Sequence, residues 1–142
     1  MSAYQSLANF VGDVAARQQV QWRQLMAQCD GAKRKLAQLK QFAERYRNQM
    51  RDRLNDGSEA RAIMVFLGFI GQIEAVIAKQ EREVAHLEQS CVEQWHRLVE
   101  ARREKRMYEI LRDQVAAEKL TAALRRSQAE IDELMGRIVK LL

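Results

Sequence analysis

Proline is absent from this chain of 142 residues, glycine occurs only six times, and aromatic residues make up 6%. Sandwiches, barrels and doubly wound sheets need many turns, and turns lean on proline and glycine. A chain poor in both is predicted to be a few long helices, with too little bulk for a thick globular core. Two cysteines, Cys29 and Cys91, are too few for a disulfide framework, and in a reducing compartment they read as small buried apolar residues. No stretch is expected to supply the roughly 18 to 20 consecutive apolar residues of a membrane span, and Met1 to Phe10 lacks the basic-then-apolar opening of a signal peptide. The chain is therefore expected in the cytosol. An excess of one charge is also missing: 24 basic and 19 acidic residues leave +5, which suits solubility more than nucleic-acid binding.

What the sequence does have is periodicity. Apolar residues recur in alternating steps of three and four, the seam of a helix packed along its length on another helix. In the first half the row is Tyr4, Leu7, Val11, Val14, a polar gap at Gln18 and Gln21, then Trp22, Leu25, Cys29, Ala32, Leu36, Leu39, Ala43, Tyr46 and Met50. The extra step of four near Gln18 reads as a stutter, which locally unwinds a supercoil without ending the helix. The only cluster of helix breakers is Asn55, Asp56, Gly57 and Ser58. Gly57 suits the left-handed residue that closes a helix, and Ser58 the cap that opens the next. The second seam runs Ile63, Phe66, Ile70, Ile73, Ile77, Gln80, Val84, Leu87, Cys91, Gln94, Leu98. After the run Ala101 to Arg106 it resumes at Tyr108, Leu111 and Val115, then is displaced to Leu120, Leu124, Ile131, Leu134, Ile138 and Leu141.

A connection this short forces two long helices antiparallel. The predicted fold is all-α, a long two-helix antiparallel coiled-coil hairpin forming one domain over 1–142. Helix one covers about 3–55, the turn about 56–59 and helix two about 60–140, with equal rise on both strands placing residues face to face when their numbers add to about 115. Residues 112–142 then overhang, projecting about 45 Å past the paired region.

Motifs for chemistry are scarce. His86 and His96 stand ten residues apart with no Cys or carboxylate at ligand spacing, so they read as solvated, and no metal or other cofactor is expected. Cys29 and Cys91 fall five residues off the register, about 7 Å apart along the axis, which argues against a disulfide. There is no phosphate-binding glycine loop, nucleophile elbow or carboxylate pair across a cleft, so neither an enzyme nor a small-molecule substrate is expected. The basic run Arg102 to Arg106 includes Glu104 and lies among Glu100, Glu109 and Asp113, which weaken attraction to phosphate. A solvated face outweighs a nucleic-acid patch there.

The informative excess is apolar residues beside the seam, namely Phe42, Phe69 and Val76. In the register of 115, Leu39 faces Val76, Phe42 faces Ile73, Tyr46 faces Phe69, and Lys35 faces Gln80, which sets these residues on successive levels. An apolar, aromatic stripe there is a candidate docking surface for another protein, set against the plainer reading that the rings widen the core near the turn.

The segment FLGFIGQIEAVIAKQ from Phe66 to Gln80, Trp95 in the following helix, and QAEIDELMGR near the end resemble the FliJ family of the bacterial flagellar type III export apparatus. Length and the break near Gly57 agree, so the resemblance covers most of the chain. It departs where Phe66 and Gln80 stand at positions the family often fills with other residues, and where Phe42 replaces a common Tyr. The resemblance implies contact with the cytoplasmic domain of the membrane export gate protein through Lys35, Leu39, Phe42, Tyr46, Phe69, Ile73, Val76 and Gln80. It also implies an architecture similar to the central stalk of rotary ATPases. The end carrying both termini would sit in the export ATPase hexamer, with Arg112, Leu120, Leu124, Ile131 and Leu134 as contacts, and the chain would escort export chaperones. Such a component lies in the cytoplasm, peripherally associated with the inner face of the cell membrane at the flagellar base. The alternatives are the equivalent stalk of a virulence secretion system, and a coiled-coil scaffold with weak nucleic-acid binding.

Overall fold

The structure, a computed structural model, describes residues 3–57 and 59–142. Helix α1 spans Ala3–Asn55 and helix α2 spans Ala60–Leu141, and the two pack against each other with no strand among the described residues. Gly57 has φ 83°, the left-handed conformation that costs glycine nothing, and its amide bonds the Leu54 carbonyl at 3.2 Å. Ser58, the expected cap of α2, lies outside the described residues.

The described residues form two compact units, one running up to Arg17 and joined by 99–142, the other of 18–98. A pairing of two helices has no central core shared by all its levels, so neighbours cluster locally. In the first unit Ala8, Val11, Ala15 and Ala101 are buried. In the second, Ala43, Ile70 and Ile73 form a buried cluster, with Tyr46, Phe66 and Ile77 packed against it. Farther along the second unit Trp22 meets Trp95 with ring centroids 5.1 Å apart, and Leu98 is completely enclosed.

The predicted stutter is absent. The buried residues Ala8, Val11, Ala15, Cys29, Ala43 and Met50, with the half-buried Trp22 between Ala15 and Cys29, keep an unbroken heptad along α1, while Leu7 is 40% exposed. Leu7 drew the row one residue out of phase because a large side chain looks like the seam residue. Close helix approach selects the small Ala8 and Ala15 instead. Gln18 takes its place in this seam through a hydrogen bond. Gln94, the one buried polar side chain among the described residues, donates to the Gln18 carbonyl at 3.1 Å and to its side-chain oxygen, and accepts from Arg97 at 3.4 Å.

Helix α2 also corrects the reading of hydrophobic runs. An 18-residue window within it reaches a mean hydropathy of 1.7 with only 11% of it buried, long and apolar enough to cross a membrane by length and composition alone. Between Ala62 and Ala78 the only charge is Glu74. Scattered Gly and Gln hide the run from an eye seeking unbroken aliphatics. The buried stripe of the segment accounts for Ile70 and Ile73, leaving Met64, Val65 and Leu67 exposed at 74, 66 and 59%.

Candidate docking surface

The two flanks of the 18–98 unit differ in chemistry. On one, Lys33 pairs with Glu88 at 3.2 Å, Lys40 with Glu81 at 3.6 Å and Arg47 with Glu74 at 2.8 Å. Successive α1 members are seven residues apart and their partners descend by seven, so the ladder follows the heptad of both helices. On the other flank no interhelical ion pair forms among the described residues, and aromatic rings meet instead. Phe42 approaches Phe69 edge-on at 6.5 Å, Tyr46 approaches Phe69 at 4.7 Å, and Phe42 stacks on Tyr46 at 6.5 Å. Phe42, Phe69 and Val76 remain 46, 39 and 49% exposed. Such rings together add attraction beyond area burial while leaving faces open to a partner.

The structure therefore brings Phe42, Tyr46, Phe69 and Val76 to one flank, with Lys35 exposed beside them. Three other residues of the expected row serve the pairing itself. Ile73 is buried in the core cluster with Ala43 and Ile70. Gln80 donates its amide to the Ala32 carbonyl at 3.0 Å, and Leu39 is half-buried. An open groove beside Lys35 and Gln80 is lined also by Gln28, Ala32, Lys79 and Leu87. The ring of the seam residue Phe66 also stacks on Tyr46 at 5.2 Å and continues the aromatic series towards the turn. Its spacing of three from Phe69 carried that signal.

Cys29 and Cys91 are free and buried. Burial, then the neighbouring Cys29, pushes the Cys91 thiol up from its ordinary value of 9.0. No group of three or more metal-ligating side chains exists among the described residues.

In the other unit, Leu120, Leu124, Ile131 and Leu134 share one exposed helical face, at 62, 62, 53 and 57% exposure. Arg112 does not join them. It is half-buried, paired with Asp113 at 3.0 Å, and borders a shallow groove with Ala8, Gly12, Lys105 and Glu109. In the basic run Arg103 pairs with Glu100 at 3.7 Å, while Lys105 and Arg106 both reach Glu109 at 3.8 Å.

The family model described as "Flagellar FliJ protein" matches residues 5–140. The chain belongs to the FliJ family. At family level this makes it a component related to flagellar protein export. No curated protein and no solved structure matches the chain.

Proposed function

We propose that this FliJ-family chain is a non-enzymatic coiled-coil link between the export ATPase hexamer and the membrane export gate, and that it escorts export chaperones on the cytoplasmic side of the membrane at the flagellar base. The observation that carries the gate contact is the exposed Phe42–Phe69 pair on the flank that lacks ion pairs. Large rings in a semi-exposed cluster are the residues that most often dominate binding energy. They are joined by Tyr46 and Val76, with Lys35 at the edge. The apolar face of Leu120, Leu124, Ile131 and Leu134 is available to the ATPase ring. The carboxylates held by Arg103, Lys105 and Arg106 support a solvated face rather than a phosphate-binding one.

The test is a titration of the full chain against the gate protein's cytoplasmic domain. The change Phe42→Ala with Phe69→Ala should weaken binding by about 1 to 3 kcal/mol per anchor while helical content is unchanged. Undiminished binding by the folded double variant would overturn the docking assignment.

A further inference from the structure

Beyond Val115 helix α2 continues to Leu141 with every residue exposed, as an isolated helix would be. Its sequence is not that of an isolated helix. Leu120, Leu124, Ser127, Ile131, Leu134, Ile138 and Leu141 follow one another in alternating steps of four and three. The six apolar members are exposed at 62, 62, 53, 57, 42 and 86% in chain order. Arg125, Arg126, Asp132, Glu133 and Lys140 keep to the opposite side. Single helices without a tertiary partner are marginal in water, so a helix patterned this way is built to be covered.

We propose that this face pairs with the same face of a second copy of the chain, as a parallel two-stranded coiled coil over residues 120–141. Three observations select that occupant. In heptad terms Leu124, Ile131 and Ile138 hold the a positions, while Leu120, Ser127, Leu134 and Leu141 hold the d positions. Branched Ile at a with Leu at d is the combination that packs best as two parallel strands. Ser127 is the only polar seam residue, and in a parallel in-register pair it meets its own copy, so two hydroxyls satisfy each other. In an antiparallel pair it faces an aliphatic side chain. A single polar seam residue of this kind sets register and orientation.

Charge and area agree. The positions beside the seam are Thr121, Gln128, Met135 and Leu142 on one side and Ala123, Glu130 and Arg137 on the other, so in the parallel arrangement no like charges meet across the pair. Each covered Leu or Ile removes on the order of 100 Å² of apolar surface from water. With Met135 and Leu142 beside them, the seam residues bury roughly 600 to 700 Å² per copy, near the ~800 Å² per partner of a standard specific interface. Self-pairing does not depend on the export partners. It uses the face offered above to the ATPase ring, so the pair and the ring compete for it.

Sedimentation equilibrium of the full chain alone tests the idea, without any export partner present. The wild type should show a reversible monomer–dimer equilibrium in the micromolar range. Ile131→Asp with Leu134→Asp should raise the dissociation constant more than tenfold. A wild type that stays monomeric at several hundred micromolar overturns the proposal, as does a double variant that dimerises like the wild type. Orientation is read in a Cys29→Ala, Cys91→Ala background carrying Ser127→Cys, treated with glutathione disulfide. Two thiols join as one disulfide while glutathione disulfide takes up the two electrons and two protons. A covalent dimer is expected, and Lys140→Cys, on the outer face, should remain monomeric under the same treatment. A reversible dimer that Ser127→Cys fails to trap, or that Lys140→Cys traps equally well, rejects the parallel pairing.

Discussion

Gln94 crosses the helix interface to hydrogen-bond Gln18, and this places an amide where the heptad of α2 otherwise calls for an aliphatic residue. Replacing both partners of a buried hydrogen bond by apolar groups of similar shape is near neutral or stabilising, whereas removing one leaves the other unsatisfied. Gln94→Leu with Gln18→Leu should therefore leave the melting temperature equal or higher, while Gln94→Leu alone, which strips the Gln18 side-chain oxygen of its donor, should lower it. Gln94→Ala, which opens a cavity, should lower stability by about 2 kcal/mol. Thermal melts of these variants check this.

Gly68 and Gly71 lie inside α2 with nothing within 4 Å of where a Cβ would stand. Alanine fits both positions and is favoured over glycine by about 1 kcal/mol each in a helix interior. Gly68→Ala with Gly71→Ala should raise stability by about 2 kcal/mol, measured by urea unfolding. A loss would mean that a neighbour occupies that space.

The Cys91 thiol is held above its ordinary value of 9.0, chiefly by burial. In the unfolded chain it ionises at that ordinary value, whereas the folded chain keeps the proton to higher pH. Stability from this group is complete below pH 9.0 and declines as pH rises from there through the folded value. Lys33, raised above 10.5 by its hydrogen bond to Glu88, has the same sign at higher pH. Chemical unfolding from pH 8 to 10 should show the decline in the wild type and a flat profile in Cys91→Ala.

The ion-paired flank predicts little energy and little involvement in docking. Arg47 and Glu74 are 45 and 58% exposed, where such pairs contribute roughly 0.2 to 1 kcal/mol. A double-mutant cycle with Arg47→Ala and Glu74→Ala should give a coupling in that range, and gate-domain affinity should be unchanged in both variants. Docking through Phe42 and Phe69 should also vary little with salt between low and moderate concentrations, whereas phosphate binding would weaken steeply.

The seam of α2 was legible because Ile and Leu at strict heptad spacing have no competing explanation, and the turn because Gly57 stands in the only cluster of breakers. Sequence was weaker where small residues decide. Ala8 and Ala15 carry no hydropathic signal comparable with Leu7, although close helices favour them. For the candidate site, spacing brought Tyr46 and Phe69 together. It could not divide the row between residues spent on the helix pair, such as Ile73 and Gln80, and residues left for a partner, such as Phe42. That division depends on angles around the helix of a degree finer than a register number expresses.

The contrast between a flank of Lys33, Lys40 and Arg47 bound to carboxylates and a flank of Phe42, Tyr46 and Phe69 gives the 18–98 unit an azimuth. Two helices with equivalent sides could be turned half a revolution about their common axis without a partner registering the change. Here that turn exchanges charge for aromatic rings. A partner gripping the aromatic side thereby fixes the angle of every other side chain around the axis, and torque applied to the helices would be resisted at that grip instead of slipping past it.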